Sequence, residues 1–305
     1  MNKSILTTIV IILIVLNGCG MNRRGSSSGP TATISEQELH KGFDGLTIEF
    51  PENYPPLEVY EGDTFPVIVL LENAGASDLK GDISILLNNN VRLTKGSLEQ
   101  DIELKGKSIA SPEGEREIIE LLIKPFIFPD TQSIGSTIIA QVGYEYKTSA
   151  VVNVCIDTDP FDELLAKGIQ KACNKEDIEL QDGQGAPIAV TKIITKINRN
   201  NNIPEFEIFV ENKGKGKLYD LDEYPDYVDI EASLYDKKLI CEDDEMSLEE
   251  GSYIICKPEE SFEETQEPYI SLLNIKLSYL YVETINKEIT IKNKKRLREK
   301  KTPSI

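Results

Sequence analysis

The chain has 305 residues, 40% of them hydrophobic and 28% charged, a balance that suits packed domains and excludes a disordered polymer. That length is enough for two domains, each with its own core. A formal net charge of -19 repels nucleic-acid backbones, so no nucleic-acid partner is expected.

Residues 1–18 read as a signal peptide: Lys3 lies in a short polar start, Ile5 to Leu16 is apolar, and small residues precede Cys19. The apolar run is shorter than the roughly 20 residues that a bilayer-crossing helix needs, so export with cleavage is expected. Leu16, Asn17, Gly18 and Cys19 resemble the lipobox of prokaryotic lipoproteins. That resemblance implies lipidation of Cys19 and a protein anchored on the outer face of the cell membrane, although Asn17 departs from the small or β-branched residue usual there. Residues 19–43 are rich in Ser, Gly, Thr and Pro and are expected to form a flexible tether.

The body of the chain contains an internal repeat. Val69 to Gly75 followed by Leu79 matches Ile208 to Gly214 followed by Leu218, and Val142 to Ile156 matches Leu277 to Ile291 without a gap. The blocks keep their order, which predicts one fold used twice, over residues 44–157 and 186–292. Apolar and polar side chains alternate at Val228, Ile230, Ala232 and Leu234, at Phe206, Ile208 and Val210, and from Ile138 to Tyr146. Such alternation over short segments bounded by turn residues predicts an all-β sandwich. The Asn-x-Gly after the matched strand, at Asn73 and Asn212, is expected to supply positive φ where the chain turns. Each Tyr-x-Tyr strand is expected to turn and return as a final hairpin strand, Ala150 to Ile156 and Ile285 to Ile291.

A strand ending in Glu-Asn-x-Gly, preceded in the first copy by Tyr60, Glu61, Gly62, Asp63 and Thr64, resembles the CARDB-type immunoglobulin-like modules of archaeal and bacterial surface proteins. The resemblance implies two tandem immunoglobulin-like β-sandwich domains on an envelope lipoprotein, used for adhesion or display toward a protein or glycan partner. It carries no catalytic residues. The rival readings are a self-assembling structural component of the envelope and a metal-dependent enzyme subunit.

Between the repeats, residues 158–185 form a linker in which Asp159, Pro160 and the acidic residues after them predict a short helix. Four cysteines remain beyond Cys19, and their closeness in sequence favours disulfides Cys155–Cys173 and Cys241–Cys256 in an exported chain. Two other connectivities are open, and zinc is disfavoured because CxxC spacing is absent. The sole histidine, His40, falls in the tether, and no nucleotide-binding loop is present, so catalysis and an organic cofactor are not expected. Carboxylates gather at Asp157, Asp159 and Asp162, at Asp220, Asp222, Glu223 and Asp226, and from Glu242 to Glu245. Of these, Asp220, Asp222 and Asp226 are the candidate calcium ligands, set against ordinary solvated loops. Residues 293–305 form a basic tail that suits anionic lipid, an acidic polymer or a neighbouring copy, or is simply a soluble end.

Overall fold

Side chains on a strand alternate between two faces, so a segment with every second residue apolar is stable once that face is covered. The structure, a computed structural model, describes residues 39–128, 131–159, 161–198, 203–219, 227–243, 245–248, 251–259 and 267–294. Within them the first repeat supplies β1 (Leu46–Glu49), β2 (Glu58–Tyr60), β3 (Phe65–Asn73), β4 (Leu79–Leu87), β5 (Val91–Lys95), β6 (Glu99–Leu104), β7 (Arg116–Pro125) and β8 (Ser133–Ile156). A four-residue helix, α1 (Glu163–Ala166), and the short β9 (Ile178–Glu179) lie in the linker. The second repeat adds β10 (Ile188–Asn198), β11 (Ile203–Asn212), β12 (Lys217–Leu218), β13 (Tyr227–Leu234), β14 (Lys237–Cys241), β15 (Glu245–Ser247), β16 (Tyr253–Pro258) and β17 (Tyr269–Lys292). No helix among the described residues is long and apolar enough to cross a membrane.

Most strand pairings recur in both repeats, except that in the second β14 also pairs with β13 and so joins its two sheets. In the first, β1-β3-β7-β5 make one antiparallel sheet and β6-β4-β8 a second. In the second, β10-β11-β16-β14 correspond to the former and β15-β13-β17 to the latter. Even the register recurs, with Leu46 opposite Asn73 and Ile188 opposite Asn212. The alternating residues named from sequence point inward: Val228, Ile230, Ala232, Leu234, Phe206, Ile208, Val210 and the series from Ile138 to Tyr146 are all buried. Glu207, on the expected wet face, is also buried, beneath its ion pair with Lys196.

The expected terminal hairpins do not form. β8 and β17 each run straight for 24 residues and pair antiparallel along their whole length, from Tyr269 opposite Ile156 to Lys292 opposite Ser133. The leading part of β8 pairs with β4 of its own repeat, while its trailing part borders the leading part of β17, which in turn pairs with β13. Each repeat therefore lends the end of its last strand to the other. The result is one wide sheet, β6-β4-β8-β17-β13-β15, which continues through β14 into β16-β11-β10, beside the separate four-stranded sheet β1-β3-β7-β5, and the buried side chains form one continuous apolar core. The described residues belong to a single compact unit.

The Asn-x-Gly expectation is corrected in its cause. Neither Gly75 nor Gly214 has positive φ. A Cβ at Gly75 would stand 1.9 Å from the Tyr146 hydroxyl, and one at Gly214 would stand 2.5 Å from the Tyr281 hydroxyl. Glycine is needed there because a tyrosine from the long strands reaches into the turn.

The linker is tied down. Cys155 is bonded to Cys173 with Cα atoms 5.8 Å apart, and Cys241 to Cys256 across the paired strands β14 and β16. The short helix forms but starts later than expected: its N-cap position is Asp162, whose side chain makes no capping bond, and Asp159, three residues earlier, reaches over with its carboxylate to accept the Glu163 and Leu164 amides at 2.8 and 2.9 Å. Pro160 lies outside the described residues. The end of the expected tether is also structured: Leu39 is buried, and Gly42 pairs with Gly183 at the joint between the repeats. At the other end, the first residue of the basic tail, Asn293, is buried, and Lys294 forms an ion pair with Asp63.

Candidate functional site

Where β8 and β17 cross the middle of the wide sheet, the two Tyr-x-Tyr motifs meet, Tyr144 opposite Tyr281 and Tyr146 opposite Tyr279. Strand alternation sends all four rings into the core, where they contact one another edge-on or tilted at centroid distances of 5.7 to 6.2 Å. Burial raises the pKa of each phenol, so all four hydroxyls stay neutral donors.

Their partners are paired between the repeats as the strands are. The Leu46 amide donates to the Tyr144 oxygen at 3.3 Å, and the Ile188 amide to the Tyr279 oxygen at 3.4 Å. Tyr146 faces Asn73 Oδ1 at 3.4 Å, and Tyr281 donates to Asn212 Oδ1 at 2.9 Å. Each asparagine also accepts the amide of the glycine two residues on and donates to a carbonyl four residues on. The repeated Asn-x-Gly and Tyr-x-Tyr motifs are thus one hydrogen-bonded corner, made twice.

One substitution breaks the symmetry. Tyr279 is 3.0 Å from Thr148 Oγ1, whereas Tyr144 donates to Glu283 at 3.1 Å in the equivalent place. Desolvation of the Glu283 carboxyl, against the Tyr144 hydrogen bond and Lys215 and with a contribution from Asp44, raises its pKa from 4.5 to about 7.

On the opposite, solvent-facing side of the same strands lie two adjacent hollows of about 410 Å³ each. The first has Gly81, Asp82, Gln141 and Gly143 along β4 and β8; the second has Lys147, Asp229 and Ser278 along β8, β17 and β13. Glu145, Tyr219 and Leu280 belong to both, so the two form one continuous trough across the joint. Tyr219 and Leu280 are each 41% exposed, a pairing of aromatic and apolar surface set among polar groups. Tyr219 is held there by its amide, which donates to the Leu280 carbonyl at 3.0 Å.

The carboxylates named from sequence separate into different fates. Asp157 and Asp162 both contact the Lys171 ammonium, at 2.9 and 2.6 Å, and the Asp159 carbonyl accepts from it at 2.7 Å. The Lys171 side chain is only 6% exposed, and its charge occupies the place where these oxygens converge. Desolvation opposes that charge, but the hydrogen bonds that the ammonium donates to Asp162 and Asp157 outweigh it and raise the lysine pKa. Glu242, Asp243 and Glu245 rim an open hollow of about 760 Å³ beside Tyr227 and Tyr253. Asp244, the calcium candidates Asp220, Asp222 and Asp226, and the lipidation candidate Cys19 lie outside the described residues. Among the described residues no group of three or more His, Cys, Asp or Glu is arranged to hold a metal ion, and His40 is exposed.

The trough was missed in sequence because its residues come from strands far apart in the chain. One signal pointed to the joint that builds it. Lys147, Thr148 and Ser149, and likewise Val282, Glu283 and Thr284, contain none of the Gly, Asn, Asp or Pro that a hairpin after Tyr-x-Tyr would use.

No protein-family model matches the chain, and no curated protein matches it. Among solved structures the chain is similar to a DUF4466 family protein from Parabacteroides merdae ATCC 43184, at 10% identity over 77% of this chain and 99% of that one, with a TM-score of 0.15. A likeness at that level carries no argument about fold or function.

Proposed function

We propose that the chain is a non-enzymatic cell-surface lipoprotein, anchored through Cys19, that presents the exposed face of its wide sheet to an envelope protein or glycan. The single observation that carries the reading is the trough across the joint, with exposed Tyr219 and Leu280 between two polar hollows. A binding face needs accessible aromatic surface on a rigid support, and a sheet pinned by a 24-residue strand pair supplies that support. Two disulfides suit an exported location. The repeated pairing of the strands supports two related β-sandwich modules fused through their last strands, and on the sequence resemblance we read them as immunoglobulin-like modules of the CARDB kind.

The test is retention on isolated cell envelopes. Purified protein lacking the first twenty residues should be retained on them, and Tyr219→Ala should reduce retention at least about tenfold while leaving the unfolding midpoint unchanged. Equal retention of the two proteins would overturn the reading. The anchor is tested separately: Cys19→Ser should move the protein from the membrane to the soluble fraction, and continued sedimentation with membranes would refute lipid attachment.

A further inference from the structure

The two hollows are copies of each other. Aligning the repeats places Gly143 on Ser278, and the β4 residue opposite Gly143 on the β13 residue opposite Ser278; these are Asp82 and Asp229. Each hollow therefore has a small residue on its floor facing an aspartate on the neighbouring strand. The cores behind them match as well, with Tyr144 under one and Tyr279 under the other.

The fold does not demand the glycine at 143. A Cβ added there meets nothing closer than 3.9 Å, from Asp82 and Val282, whereas one at Gly81 would stand 2.0 Å from the Gly143 carbonyl oxygen. Gly81 is thus required by close strand approach. Gly143 weakens its strand relative to a residue with a side chain and leaves the floor of the hollow open.

Resting on the surface-binding reading, we propose that the twin hollows bind one strand of an uncharged polysaccharide lying across β8 and β17. The trough offers carboxylate acceptors at Asp82 and Asp229 for hydroxyl groups, neutral partners at Gln141 and Ser278, and the tyrosine at 219 for the C–H face of a sugar ring. Four carboxylates line it, Asp82, Glu145, Asp229 and Glu245, against two lysines, and one of these, Lys80, is paired with Glu103. That balance disfavours polyanions. Gly143 and Ser278 stand about four residues apart along adjacent strands, roughly 14 Å, so a ligand filling both hollows is an oligomer and not a single sugar.

The experiment uses the purified protein with soluble β-glucan, mannan and galactan as neutral probes and hyaluronan as the anionic control, by affinity electrophoresis and calorimetry. At least one neutral polymer should bind, with less than about twofold change when salt rises from about 50 to 500 mM. Single sugars should compete at least about a hundredfold more weakly than the polymer. Tyr219→Ala and Gly143→Thr should each weaken binding at least about tenfold, and Gly143→Thr should unfold no earlier than the natural protein. Binding to none of the neutral polymers overturns the proposal. So does neutral-polymer binding that both variants retain, and so does a preference for a basic peptide that salt abolishes. If envelope retention depends on Tyr219 while no neutral polymer binds, the glycan inference fails and the surface-binding reading stands.

Discussion

Glu283 offers the sharpest test of how the two halves meet. It occupies the place that Thr148 holds in the other half, and burial raises its carboxyl from 4.5 to about 7. The folded protein then holds this proton more tightly than the unfolded chain does. Its contribution to stability is complete below about pH 4.5 and is lost as pH rises through about 7. A shift of that size corresponds to at most about 3 kcal/mol over the whole range, and to about 1 kcal/mol between pH 6 and pH 8. Glu283→Gln keeps an acceptor for the Tyr144 hydroxyl and removes the charge. Urea unfolding of both proteins at pH 6, 7 and 8 should show the variant gaining about 1 kcal/mol on the natural protein across that interval. In thermal scans the same gain amounts to roughly 2–4 °C. Charge effects common to both proteins cancel in the difference. Parallel pH curves for the two proteins would refute the buried carboxyl and its role at the joint.

Tyr146→Phe strips a hydroxyl that accepts the Ser77 amide and faces Asn73, and should lower stability by about 1–3 kcal/mol in urea titrations. Gly75→Ala forces a methyl group against that hydroxyl and should cost about 3 kcal/mol or more in the same assay, whereas Gly143→Ala should change stability by less than about 1 kcal/mol. Cleavage after Lys175, beyond the Cys155–Cys173 bridge, should leave the two fragments co-eluting on a sizing column until denaturant is added, because β8 and β17 hold them together. Separation under native conditions would show that the long strand pair is not what joins the halves.

Part of this could be read from the residues alone because it rests on covalent geometry. Side chains on a strand must alternate, so the apolar series at Ile138 to Tyr146 and at Val228 to Leu234 named their own buried faces. The repeat predicted that pairing would recur, and the short spacing of the cysteines predicted both bridges. The buried carboxyl at Glu283, the ammonium seated among Asp157, Asp159 and Asp162, and the trough around Tyr219 were not readable in that way. Each depends on which distant groups come to lie beside it.

The choice that mattered most for the molecule is whether the chain turns after Tyr-x-Tyr or runs on. A strand folded back in a hairpin and a strand lent to the other repeat satisfy the same backbone donors and acceptors, and they bury the same alternate side chains. Strand alternation is equal in the two arrangements; the lack of turn residues after Tyr-x-Tyr disfavours the hairpin, and the meeting of the halves decides where the strands go instead. Once β8 and β17 run on, four tyrosines close on one another inside and two hollows come side by side outside.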